Sequence, residues 1–162
     1  MSGIREITGA ADTGNSLKVI RSSFRTVAQE LKLTRKNNPT HPSFITLERL
    51  LELQKKARFF GLFEDGVQVG FVAIEKADGN VFYLDKLSVL PDRRHRGHGR
   101  KLVEFVAGYV KKAGGEKVSL GMIDSQKVLK DWYRSLGFRE TGTKKFEHLP
   151  FTVCFMDRMV SS

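Results

Sequence analysis

Cysteine is almost missing from this chain. Cys154 is the only one in 162 residues, so no intramolecular disulfide can form, which fits a reducing compartment. Long apolar runs are missing too. None approaches the roughly 20 residues needed to span a bilayer, and Met1 to Thr13 holds no stretch of signal-peptide length, so a cytoplasmic protein with no membrane partner is expected. No repeat, low-complexity tract or linker interrupts residues 1–162, which are expected to form one domain. A Walker A pattern is absent, and no His, Cys or carboxylate spacing suggests a metal, so none is expected. Acidic residues are in deficit: 18 Asp and Glu face 28 Lys and Arg, a net charge of +10 that favours an anionic partner.

What is present is an alternation of elements. Ile4 to Ile7 reads as a short strand, and Leu17, Ile20, Phe24, Val27, Ala28 and Leu31 recur at helical spacing over residues 14–32. Pro39 and Pro42 lie in a break, and Thr46 is a plausible N-cap for a second helix reaching about Lys56. Phe59 to Glu64 and Val67 to Lys76 flank Asp65-Gly66, a dipeptide suited to a type I′ hairpin, and the second strand is apolar on both alternating sets, so it should be buried on both faces. Val81 to Leu90 is the next strand, ended by Pro91. A helix with the stripe Leu102, Phe105, Val106, Tyr109 and Val110 stops at Gly114-Gly115. Lys117 to Met122 reads as a strand, Leu129, Trp132, Tyr133 and Leu136 mark a last helix, and Phe138 to Thr143 and Phe151 to Met159 finish as strands. The order β-α-α-β-β-β-α-β-α-β-β predicts an α/β mixed sheet: antiparallel hairpins early, parallel neighbours across the two later crossover helices.

The stretch that carries chemistry runs from Leu84 to Leu102. A buried strand leads into a loop with Gly97 and Gly99 and with Arg93, Arg94, Arg96, Arg100 and Lys101, and that loop opens a helix. Unpaired N–H groups and the positive end of the helix dipole favour an anion there, and glycines let the backbone approach it. Cations crowded at a helix N-terminus are unfavourable unless an anion binds, so the loop reads as a pyrophosphate cradle; the alternative is a basic loop that simply caps a helix. A dinucleotide fingerprint fails, because Leu102 stands where the third small residue belongs and the strand ends well before the first glycine.

Arg94-His95-Arg96-Gly97-His98-Gly99 matches the Arg/Gln-x-x-Gly-x-Gly/Ala signature, and Tyr133-Arg134-Ser135-Leu136-Gly137-Phe138 the downstream Tyr-x-x-x-Gly-Phe element, of the GNAT superfamily of N-acetyltransferases, which the chain resembles over nearly its whole length. It departs at Gln126, where the family often has Asn, and at Leu129, where a small residue is usual. The resemblance implies acetyl-CoA as cosubstrate and an amine as acceptor. It implies that the backbone of the segment Leu87, Ser88 and Val89 pairs with the pantetheine arm. Arg94, His95, Arg96, Gly97, His98, Gly99, Arg100 and Lys101 would hold the pyrophosphate, mostly through backbone N–H groups, and Gln126 would touch the coenzyme. Tyr133 would protonate the leaving thiolate, with the Val89 N–H as a candidate oxyanion donor. Asp85, an acid within an apolar strand, is the candidate base; its alternative is a partner for Lys86 or an Arg. His41 and His148 are further candidates but read as ordinary surface histidines. The segments Thr34 to Ile45 and Lys144 to Phe151 are expected to wall the acceptor. With the cations assigned to a coenzyme, nucleic acid is not the expected partner; a coenzyme-binding sensor without turnover is the other alternative, and a homodimer is compatible with the sequence.

Overall fold

Apolar alternation and helical periodicity are realised as seven strands and four α-helices among residues 2–160, which the computed structural model describes. The strands are β1 (Ser2–Ile7), β2 (Arg58–Glu64), β3 (Val67–Lys76), β4 (Val81–Val89), β5 (Lys117–Ile123), β6 (Arg139–Lys145) and β7 (Thr152–Met159). The helices are α1 (Ala10–Glu30), α2 (Leu47–Gln54), α3 (His98–Lys112) and α4 (Lys127–Ser135). They follow the order expected from the sequence and form an α/β mixed sheet with hydrogen-bonded order β1-β2-β3-β4-β5-β7-β6. The chain falls into two compact units. One runs to Glu75 and includes Asp85–Leu102; the other comprises Lys76–Leu84 and the chain from Val103.

In the first unit, β1, β2 and β3 pair antiparallel. Asp65 (φ 50°) and Gly66 (φ 83°) are both left-handed, as a type I′ hairpin turn requires. β3 is buried along nearly its whole length, as its two apolar faces predict. Ile7, Ile20, Leu50, Phe59 and Phe71 form the centre of an apolar cluster with Val19, Ile45, Ala57 and Ala73. Thr46 caps α2, its Oγ1 accepting the Arg49 N–H at 3.2 Å. Gly70 on β3 allows a close approach: a Cβ there would meet Leu102 Cδ1 at 3.0 Å and the Ser88 carbonyl at 3.1 Å, tight enough that both would have to give way. That close approach sets the first turn of α3 against the ends of β3 and β4.

In the second unit, β4 and β5 run parallel but pair only through Val81–Lys117, Phe82–Val118 and Tyr83–Ser119. β5 pairs with β7 along its full length, and β6 pairs with β7, both antiparallel. One sequence expectation is corrected here. The crossover through α4 makes β6 run parallel to β5, but β7 lies between them, because β7 hydrogen-bonds to both. Gly114 (φ 84°) and Gly137 (φ 91°) supply the left-handed residues after α3 and α4.

Candidate active site

β4 is not a regular strand. Lys86 takes φ 54° in its middle, a left-handed residue that breaks the alternation as a bulge does. The buried Ser88 donates its hydroxyl to the Lys86 carbonyl at 2.8 Å, and Leu87 and Val89 are half-buried. The Val89 N–H donates to Ser23 Oγ on α1 at 3.2 Å, so this candidate oxyanion donor already has a partner. Leu90 N–H continues the ladder to the Val69 carbonyl at 2.9 Å.

Beyond Pro91 the loop turns at His95 (φ 63°) and Gly97 (φ 81°), and α3 begins at His98. The Lys101 N–H bonds the Gly97 carbonyl at 3.0 Å, so the N–H groups of His98, Gly99 and Arg100 precede the helical ladder. Nothing stands within 4 Å of a Cβ built at Gly97, and the segment His95, Arg96, Gly97 is exposed. The turn therefore presents backbone donors at the positive end of α3, which is the geometry of an anion site.

The loop cations do not act as one set, because two of the arginines turn toward protein partners. Arg94 reaches α1: Nη2 donates to the Ser23 carbonyl at 2.7 Å and to Ser23 Oγ at 3.3 Å, and Nη1 donates to Thr26 Oγ1 at 3.3 Å. Burial lowers its pKa from the usual arginine value. Arg93 Nη1 lies 3.1 Å from Glu64 Oε1, and the buried His98 places Nε2 3.3 Å from Glu64 Oε2, outside hydrogen-bond geometry. Two arginines thus fasten the loop, Arg94 to α1 and Arg93 to the end of β2, whereas His95, Arg96, Arg100 and Lys101 are exposed. Ser23, Thr26 and Glu64 have no sequence mark as partners of this loop, since each acts on a residue far along the chain.

α4 carries the second set of candidates. Tyr133 is 6% exposed, with its ring edge-on to Trp132 at 5.0 Å and to Phe138 at 5.5 Å. Burial raises the phenol pKa well above its usual value, so the group stays protonated throughout the neutral range. Gln126 is the N-cap of α4 and makes no side-chain cap bond; its carbonyl accepts the Lys130 N–H at 3.0 Å. Of the expected apolar stripe, Tyr133 and Leu136 are buried and Trp132 is half-buried; Leu129, at 36% exposed, departs from it, and Lys130 is buried as well. Lys130 and Tyr133 are three residues apart on one face, a spacing visible in the sequence.

The base candidates divide. Asp85 has a 41% exposed side chain, and its Oδ2 lies 3.6 Å from Lys86 Nζ, the pairing that its structural alternative requires. His41 is not a surface residue, contrary to expectation. It is 5% exposed, edge-on to Phe24 and Phe44, and its Nδ1 accepts the Ser43 N–H at 3.3 Å at the head of a 3-10 turn. Burial first and the Lys86 charge second push its pKa down to about 4, which makes it a poor proton acceptor. His148 is exposed, as expected. The Thr34 to Ile45 segment contributes Arg35, Pro39 and Phe44 to a cleft of about 460 Å³ completed by Thr46, Glu48, Arg49 and Glu52 of the α2 region. In the other expected wall, Phe146 stacks edge-on with His148 and Phe155 under Lys144. Among the described residues no helix is long and apolar enough to cross a membrane.

Known structures share this fold. The Escherichia coli ribosomal-protein-S18-alanine N-acetyltransferase superposes with a TM-score of 0.80 at 18% identity, over 100% of this chain and 96% of that one. The PaiA N-acetyltransferase of Thermoplasma acidophilum, in complex with coenzyme A, superposes at 0.76 and 19% identity, over 98% and 99%. A GNAT family acetyltransferase from Elizabethkingia anophelis with acetyl-CoA bound gives 0.72 at 12% identity, over 98% and 97%. No curated protein sequence matches the chain. The model of the acetyltransferase (GNAT) family matches residues 24–138, a span that takes in the glycine loop, the start of α3 and the whole of α4, and the chain belongs to that family.

Proposed function

We propose that the protein transfers an acetyl group from acetyl-CoA to a primary amine by direct attack in a ternary complex. The observation that carries this reading is the glycine turn at the start of α3: open space at Gly97, exposed Arg96, Arg100 and Lys101, and N–H groups ahead of the helical ladder. Coenzyme A or acetyl-CoA occupies two of the proteins that share the fold. The pyrophosphate would rest on the turn's backbone, with Arg96, Arg100 and Lys101 supplying charge and Arg93 and Arg94 holding the turn in shape. The backbone of the Leu87 to Val89 segment would pair with the pantetheine arm, and Gln126 would touch the coenzyme.

The amine nitrogen attacks the thioester carbon, the C–S bond breaks, and the departing sulfur takes a proton from the Tyr133 hydroxyl. Burial keeps the phenol protonated and so able to donate, and the same burial makes it a weaker acid than a solvated tyrosine. The amine must first lose its own proton, since an alkyl ammonium has a pKa of about 10.4. Asp85, open to solvent, would pass that proton through water. The Val89 N–H can serve the thioester oxygen only by exchanging Ser23 Oγ for it.

The test pairs calorimetry with turnover. Parent protein should bind acetyl-CoA, and a folded Gly99→Glu variant, with a carboxylate in the cradle, should lose nearly all binding. Unchanged affinity in that variant overturns the site. Turnover is then screened over polyamines, aminoglycosides, amino acids and peptides, including one beginning with alanine. Binding without turnover over the whole panel points to a sensor. Affinity for RNA with steep salt dependence, and none for acetyl-CoA, points to a nucleic-acid protein.

A further inference from the structure

α4 is a short helix whose apolar contact is confined to its C-terminal end, at Trp132, Tyr133 and the capping Leu136. Of its nine residues only Lys130 and Tyr133 are buried; Val128 is 87% and Leu129 36% exposed. A helix so poorly anchored by apolar contact depends on its polar contacts for position. Those contacts are concentrated on Lys130. Its Nζ lies 2.5 Å from Asp124 Oδ1, just before the helix, and 3.4 Å from Glu140 Oε1 on β6. The same Glu140 oxygen accepts the buried Cys154 thiol of β7 at 3.3 Å, and the other Glu140 oxygen lies 3.4 Å from Arg134, one turn further along α4. Two cations of α4 therefore meet two carboxylates outside it. Donor atoms of Asp124, Glu140 and Cys154 lie within 4.8 Å of one another, but the cation they gather around is the Lys130 ammonium.

A buried ammonium is tolerated only where it is paired, so its partners dictate where it sits. Tyr133 is on the same face three residues on, and its ring meets those of Trp132 and Phe138 edge-on, contacts that fix depth but allow sliding. We propose that Lys130 is a positioning residue for Tyr133: its ammonium, gripped by Asp124 and Glu140, fixes the turn of α4 that carries the phenol. The link to catalysis rests on the role given to Tyr133 above; the link to geometry does not.

Trp132, the chain's single tryptophan, lies edge-on to Tyr133 at 5.0 Å and reports on the position of that ring. Lys130→Met keeps the length of the side chain and removes its charge. The folded variant should show red-shifted Trp132 emission and stronger acrylamide quenching. With the best amine of the panel, kcat should fall about tenfold or more, with the KM for acetyl-CoA within about twofold, because displacement by as little as 1 Å is costly to chemistry. In a Tyr133→Phe background Lys130→Met should cost little further, since the group it positions is gone. Unchanged emission and quenching in folded Lys130→Met overturn the proposal, and so does a loss of equal size in both backgrounds, which marks a purely structural residue. If Lys130→Met does not fold, Glu140→Gln, which keeps the Asp124 contact, should shift the same signals less, and no shift there overturns the proposal. Tyr133→Phe turning over like the parent would sink the acid role of Tyr133 alone, while the Trp132 signals still decide the positioning.

Discussion

α1 and α4 are held by opposite means. α1 spans 21 residues and buries Val19, Ile20 and Ala28 together with Thr13, Ser16 and Ser23, whose hydroxyls are all hydrogen-bonded. No charged side chain of α1 is buried. α4 buries one ring and one ammonium. Apolar burial is indifferent to direction and nearly indifferent to salt and pH, so α1 is a stable wall that can anchor the loop through Arg94. Ion pairs are directional, so α4 is placed by a few atoms and is correspondingly easy to displace. The two ways of holding a helix match the two tasks proposed for them: a fixed cradle for the coenzyme, and a phenol whose position must be set closely.

The comparison breaks most sharply in the apolar cluster beside α1. Phe59 is 1% exposed and edge-on to Phe71 at 5.0 Å, so Phe59→Ala should cost about 3–5 kcal/mol. Chemical denaturation at low and high salt should give the same loss, and a strongly salt-dependent loss would refute apolar anchoring. Next in size is Arg94→Lys, which keeps the charge but loses the guanidinium fork onto Ser23 and Thr26; about 1.5–3 kcal/mol is expected. It should also weaken acetyl-CoA binding. A variant as stable as the parent, with weaker binding, would put Arg94 on the phosphate instead. Smaller still is Gly97→Ala: there is room for the methyl group, so only the φ of 81° resists it, a strain of about 1–2 kcal/mol visible in thermal melts.

Periodicity and turn residues made most of this fold legible. Asp65-Gly66, Pro91 and Gly137 stand where the chain turns or an element ends, and the loop–helix unit is where its glycines put it. What was not legible depends on partners distant in sequence. The stretch of cations looked like one set, but Glu64 and Ser23, 29 and 71 residues away from Arg93 and Arg94 respectively, turn part of it inward. The bulge at Lys86 carries no mark, because lysine has no preference for left-handed backbone. His41 looked superficial between Thr40 and Pro42, yet the rings of Phe24 and Phe44 cover it. Lys130 was readable in principle, since its spacing from Tyr133 puts it on the buried face, but a lysine there is read as solvent-facing until its carboxylates are known.

Acid separates the two ways of holding a helix with the smallest effect and the clearest sign. His41 has a folded pKa of about 4 against 6.5 for a free histidine, through burial first and the Lys86 charge second. The Nδ1 atom accepts the Ser43 N–H, so the neutral ring carries its proton on Nε2, and protonating Nδ1 would forfeit that cap. The folded state therefore takes up the proton later than the unfolded chain as pH falls. The contribution of His41 is complete above pH 6.5 and is lost as pH drops towards about 4. The α4 cluster responds lower on the scale. Asp124 is depressed from 3.8 by its Lys130 hydrogen bond, and Glu140 from 4.5 by the Cys154 thiol first and the Lys130 charge after it, so their contribution holds above those values and fails only in stronger acid. Between pH 6.5 and about 4.5 the His41 term is isolated. His41→Asn can keep an acceptor for the Ser43 N–H without titrating. Across that window the parent should lose on the order of 2–4 °C in melting temperature relative to the variant. Parallel melting curves for the two proteins would mean that His41 is solvated in the folded state, and the cluster beneath α1 would then be looser than its packing requires.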